Sequence, residues 1–205
     1  MALNMENVTE NFSYEYYDRF LIEDIEDRRI FINSEIDETV VDLALHHIIE
    51  FNRQDKDVPI EKRKPIRVYI NSPGGTVSDG FGFIDSIINS KTPVYTINLA
   101  QAASMAFLIF IAGHKRYTMP HAEFLMHDGS TGSFGSSSKV KDRIEFESIQ
   151  LEGMTKQYVI SRTNIDDDLY ENKRRVEWYF LADEAKAIGA VDVIVGKDCD
   201  IDEIL

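Results

Sequence analysis

The sequence predicts an α/β domain built on a largely parallel sheet. Two observations lead there. Short β-prone runs alternate with helical runs along most of the chain, from "RRIFIN" at 28–33 to "VDVIV" at 191–195. No stretch is of low complexity, repeats itself or has the composition of an inter-domain linker. The 205 residues suffice for one domain, and a chain of that size buries roughly 70% of its unfolded surface without disulfides.

The elements follow in order. Residues 1–20 are polar with interleaved aromatics, as in "NFSYEYYDRF", and read as an N-terminal arm ahead of a single domain over 21–205. "RRIFIN" is a strand. "DETVVDLALHHIIEFN" (37–52) puts Val40, Val41, Leu43, Leu45, Ile48, Ile49 and Phe51 on a broad helical stripe, with Asp37 or Thr39 as its cap. A charged, proline-bearing loop fills 53–65. "IRVYI" (66–70) is a strand, "NSPGG" a turn, and "VSDGFGFIDSIINS" (77–90) a helix despite two glycines. "TPVYTINLA" (92–100) is a buried strand and "SMAFLIFIAG" (104–113) a buried helix. Then come a short strand, a proline turn, the strand "EFLM", and a Gly/Ser-rich loop over 128–138. "KVKDRIEFESIQLEGMTKQYVIS" (139–161) is a long amphipathic helix, and "ADEAKAIGAVDVIV" (182–195) is helix, glycine stop and strand.

Bulk chemistry narrows the function. A formal charge of −14 repels phosphate backbones and argues against nucleic-acid binding. The lone Cys199 leaves no disulfide framework and fits a reducing cytoplasm. Residues 1–20 carry Glu6, Glu10, Glu15 and Asp18 and no apolar stretch, so no signal peptide is expected. The longest apolar run, Ala106 to Gly113, is far short of the ~20 residues that span a bilayer. No metal-ligand spacing is present: His46 and His47 are adjacent, and there is no H-E-x-x-H or cysteine pair.

One serine stands out. In "QAASMAFLIF", Ser104 lies between a strand and an apolar helix, behind Gln101, Ala102 and Ala103. Small residues permit a sharp turn, and unpaired N–H groups at a helix start favour a developing negative charge. That suits a nucleophile whose attack makes an oxyanion; an ordinary helix N-cap is the other reading. In "INSPGG", Pro73 fixes one dihedral, and Gly74 and Gly75 free two and can present N–H groups. A plain tight turn is the alternative there. Of the five histidines, His127 ends a strand and faces a loop, where it could meet a nucleophile. His114 and His121 flank turns, and His46 and His47 sit in a helix of ordinary pattern.

Together, "YINSPGG", "QAASMAFLIFIAG", "FLMHDG" and "FLADEAKAIGAVD" resemble the proteolytic subunit of the Clp protease, over about Arg19 to Val195. The resemblance implies the ClpP/crotonase-like fold of repeated β-β-α units, with a protruding strand-helix handle at about 123–161. It implies a serine endopeptidase with Ser104 as nucleophile and His127 as general base. The N–H groups of Gly75 and Met105 match the oxyanion hole. Counting back from Glu184 and Ala185, Glu177 matches the acid, an aspartate in the family; Asp168 and Asp183 are the remaining candidates, and Asp128 is poorly placed. The resemblance further implies unfolded polypeptide substrates, two stacked heptameric rings and a ring-shaped Clp ATPase unfoldase; with no ATP-binding motif and no metal-ligand spacing in the chain, no cofactor is expected.

The chain departs from the family pattern in places. Ala106 stands where glycine is frequent, Asp128-Gly129 replace Gln-Pro after the histidine, and Val176 replaces an arginine before the acid, with Arg174 and Arg175 upstream. Segments 21–28 and 53–65 look longer than usual. Two rivals follow: a weak or inactive ring subunit, kept open by Glu177 and Val176, and an acyl-CoA enzyme of the crotonase type, which shares the fold and needs no serine–histidine pair.

Overall fold

The computed structural model describes residues 19–129 and 135–205, Val41 by its backbone only. Of the expected arm, only Arg19 and Phe20 are among them, within a helical stretch over 19–26; residues 130–134 of the expected Gly/Ser loop lie outside.

Among the described residues, seven strands share one sheet. β1 (Arg29–Ile32), β2 (Ile66–Ser72), β3 (Val94–Ala103), β4 (Lys115–Thr118) and β7 (Val193–Ile194) lie side by side in that order, each pair parallel. β5 (Glu123–Met126) runs parallel to the end of β3, and β6 (Trp178–Leu181) pairs antiparallel with β5. Parallel neighbours need crossovers. Helices α1 (Glu38–Gln54), α2 (Val77–Ile88) and α3 (Met105–Ala112) supply them after β1, β2 and β3.

Burial explains the sequence pattern. Ile66, Val68 and Ile70 of β2 face the helices in the main core. On the opposite face, Tyr69 packs with Ile97, Tyr117, Val195 and Ile204. A sheet covered on both faces reads as continuous apolar strands. All eight residues of α3 are buried, so the helix carries no amphipathic period.

Two expectations are corrected. Asp37 caps α1 through the N–H groups of Thr39 and Val40, but the buried stripe is narrower than predicted. Ala44, Ile48 and Phe51 are buried, whereas Leu43 and Ile49 are 62% and 57% exposed. At about 100° per residue those two fall more than about 100° from the centre of that stripe, on the outward side. The long helix over 139–161 is helical from Ser137 to Arg162 but in three pieces: α4 (Ser137–Glu145), a π-helical stretch Phe146–Leu151, and α5 (Glu152–Arg162). Val159 of α5 is buried and the Tyr158 hydroxyl donates to the Leu108 carbonyl, which seats α5 on α3. Ile144, Phe146, Ile149 and Met154 remain exposed. After α6 (Asp167–Lys173), α7 (Ala182–Ala187) ends before Gly189 at φ 69, the predicted glycine stop.

A register shift positions the site. Ile70 pairs with Asn98 but Ser72 pairs with Ala102, so β3 carries extra residues and bends. Its first half lies beside β4, and Gln101, Ala102 and Ala103 lie beside β5. The ends of β2, β3 and β5 therefore meet.

Candidate active site

Ser104 occupies the corner between β3 and α3, with φ 53 and ψ −122. A non-glycine residue there stores about 1–3 kcal/mol of strain and persists only when its surroundings hold it. Its N–H donates to the Leu125 carbonyl at 2.9 Å, and its carbonyl accepts from the N–H groups of Phe107 and Leu108. The side chain makes no capping bond; Oγ lies 2.9 Å from His127 Nε2. The corner is tight because its neighbours are small: Ala102 and Ala103 are buried, and a Cβ on Gly74 would come within 2.7 Å of Ser104 Cβ.

His127 follows β5 directly, and Glu177 directly precedes β6. The antiparallel register pairs Met126 with Trp178, so the next residues out, His127 and Glu177, face each other. His127 Nδ1 is 2.7 Å from Glu177 Oε1. With Nδ1 carrying the proton, Nε2 is left to accept from the serine hydroxyl. The His127 side chain is 20% exposed and that of Glu177 is 57% exposed. The Tyr179 hydroxyl, two residues on and so on the same strand face, donates to Glu177 Oε2 at 3.4 Å. Local desolvation and that carboxylate push the Tyr179 phenol upward.

Two of the other three candidate acids pair with cations. Asp183 accepts from Lys197 Nζ at 2.5 Å. Asp168 is exposed in the first turn of α6. The Asp128 carboxylate lies 3.7 Å from the Arg174 guanidinium. The remaining histidines are also placed apart from Ser104. His114 accepts from the Val94 N–H, and burial, aided by Arg162, pushes its imidazole down. His47 Nδ1 contacts the Leu43 carbonyl, and His46 and His121 are exposed.

The glycine turn lies against the same corner. Gly74 has φ 98, and a Cβ on it would also come within 2.9 Å of Met105 N. Ile36 pairs with Gly75 in a parallel bridge made through the Gly74 carbonyl and the Thr76 N–H. That pattern turns the Gly75 N–H to the side away from Ile36. Met105 is the first residue of α3, so its N–H is one of the helix's unpaired donors. A cavity of about 810 Å³ opens here, with Gly75, Ser104, Met105 and His127 on one wall and Ile144, Leu151 and Thr155 of the long helical segment on the other.

Sequence reasoning passed over Tyr179, and noted Arg174 only as lying upstream of Val176. The period-2 spacing from Glu177 could have found Tyr179; nothing local signals that Arg174 lines the cavity. Among the described residues no cluster of three or more His, Cys, Asp or Glu could hold a metal, and no helix is long and apolar enough to cross a membrane.

A strained serine at a strand–helix corner, an imidazole within hydrogen-bond reach and a carboxylate behind it have the form of an acyl-transfer site. The Clp protease family model matches residues 9–198. The chain belongs to the Clp protease family, whose mixed α/β fold with a parallel-dominated sheet it has.

Proposed function

We propose that the chain is the peptidase subunit of an ATP-dependent Clp-type protease, cleaving peptide bonds of unfolded polypeptides by serine acyl transfer. The observation that carries this reading is the unbroken row Ser104 Oγ, His127 Nε2, His127 Nδ1 and Glu177 Oε1, with links of 2.9 and 2.7 Å.

In the proposed cycle His127 takes the Ser104 proton as Oγ attacks the peptide carbonyl carbon. Charge on the former carbonyl oxygen settles against the N–H groups of Gly75 and Met105, each worth ~3 kcal/mol in such a site. His127 then protonates the leaving amine, whose C–N bond breaks. Water, deprotonated by His127, attacks the ester, and Ser104 leaves with its proton restored. Glu177 keeps the ring in the tautomer this requires and offsets its transient positive charge. No step consumes ATP or a metal.

The family supports the assembly reading, rings of this chain fed by a ring-shaped Clp ATPase; two stacked heptamers, and a place in the cytoplasm on the strength of the single Cys199, complete the proposal. The exposed Ile144, Phe146, Ile149 and Met154 support it too, because that much apolar surface along one helical segment suits a partner copy.

Turnover of a short fluorogenic peptide and labelling by a fluorophosphonate, compared between wild type and Ser104→Ala with native mass measured alongside, test the reading. Wild-type turnover and labelling, both abolished in Ser104→Ala, are expected. An assembled wild-type particle that neither turns over nor labels makes the chain an inactive ring subunit. Calorimetric binding of coenzyme A without labelling makes it an acyl-CoA enzyme.

A further inference from the structure

Arg174 follows α6 and stands three residues before Glu177. Its side chain is 13% exposed, yet it meets carboxylates from three separate elements. Nε contacts Glu171 of its own helix at 2.8 Å. Nη1 contacts Glu152, the first residue of α5. The same Nη1 lies 3.7 Å from Asp128, the residue after the base. The backbone repeats the link: the Asp128 N–H donates to the Arg174 carbonyl at 2.6 Å. A turn bond from the Val176 N–H to the Lys173 carbonyl then leads the chain into Glu177. Lys156 of α5 reaches Glu171 at 2.9 Å and Asp167 at 3.0 Å, so α5 and α6 are joined a second time.

We infer that Arg174 is a positioning residue: it fixes the base-bearing segment 127–128 against the acid-bearing segment 174–177 and ties both to helix α5 through Glu152. The inference rests on the peptidase reading and extends it. A half-buried cation shared by three carboxylates is held from several sides, and removing it leaves Glu152 and Asp128 without that partner beside the cleft. The base and acid are then aligned by the single Asp128–Arg174 backbone bond and the β5–β6 ladder. A misplacement of about 1 Å at a reacting group can cost ~100-fold in rate. Because Glu152 begins α5, displacement of that helix would reach His127 through the same guanidinium.

The test uses the assembled full chain with Arg174→Met, Arg174→Lys and Glu152→Gln. Arg174→Met should lower kcat on the fluorogenic peptide by about 10- to 100-fold with KM within about twofold, at unchanged native mass. Arg174→Lys, which keeps one charge, should recover part of the loss, and Glu152→Gln should lower kcat less and not add to Arg174→Met. Hydrogen exchange of peptides spanning residues 126–129 should accelerate in Arg174→Met, since the Asp128 amide loses support. Wild-type kcat in Arg174→Met, unchanged exchange at Asp128, or a rise in KM alone overturns the inference. Equal loss of kcat in Arg174→Lys and Arg174→Met also overturns it. Exchange is read whether or not the particle has activity: a wild type without turnover sinks the peptidase reading, and the exchange result alone then decides whether Arg174 holds the two segments. Should Arg174→Met fail to assemble, Arg174→Lys and Glu152→Gln decide.

Discussion

Replacing Glu177 by glutamine removes one charge and changes the side-chain volume little. The carboxylate lies 2.7 Å from His127 Nδ1 and does not line the cavity. Substrate binding should therefore survive and the chemical step should suffer. Two unit charges ~4 Å apart interact by about 1 kcal/mol in water and about 4 kcal/mol at an effective dielectric constant near 20. With 57% of the Glu177 side chain exposed, solvent screens the pair and the lower half of that range applies. About 2 kcal/mol corresponds to a ~30-fold fall in kcat at 1.36 kcal/mol per decade. A buried acid in this role is worth far more, ~10⁴-fold in a serine protease. Saturation kinetics on the fluorogenic peptide, with native mass as control, supply the measurement. Glu177→Asp, shorter by one methylene and about 1.5 Å, should fall between glutamine and wild type. A Glu177→Gln enzyme within about twofold of wild type would refute the reasoning, and so would one as inactive as Ser104→Ala.

Gly74→Ala should abolish labelling of Ser104 and destabilise the fold, because its Cβ would come within 2.7 Å of the Ala103 carbonyl oxygen and Ser104 Cβ at φ 98; thermal unfolding and fluorophosphonate labelling read both effects. Ser104→Gly should be about 1 kcal/mol more stable than Ser104→Ala, since glycine relieves the strain at φ 53 and alanine keeps it; urea titration of the two variants checks it. Asp55 accepts from Arg28 at 2.6 and 2.8 Å and from Thr92 Oγ1 at 2.8 Å, and chiefly the Arg28 guanidinium holds its carboxyl below the usual range. A depressed folded-state pKa stabilises the fold above the unfolded value near 3.9, and that contribution is lost as pH falls through the folded value. Asp55→Asn should thus cost about 3 kcal/mol at neutral pH, and the gap between variant and wild type should close in urea titrations below about pH 4.

Much of the fold is legible because it is local. Strand and helix runs, the stop at Gly189 and the buried α3 follow from residue type and short-range sterics. The broad α1 stripe was misread because sequence shows which residues are apolar, not how wide the opposing surface is. Leu43 and Ile49 are apolar yet face outward. The helix expected over 139–161 lies within the helical residues Ser137–Arg162, but the π-helical stretch is not foreseen. Nothing in "FESIQL" distinguishes it from an α-helix.

By itself the sequence determined the strand-to-helix corner at Ser104 and the glycine turn that can approach it, since both depend on side chains small enough to pass one another. Tertiary structure decided which acid stands behind His127, because Glu177 is 50 residues away and meets it only through the β5–β6 register. It also decided that Arg174 gathers Asp128, Glu152 and Glu171, a convergence of segments that spacing along the chain does not encode. Local preferences act within a few residues, whereas the distances that set proton transfer are fixed by how remote segments pack.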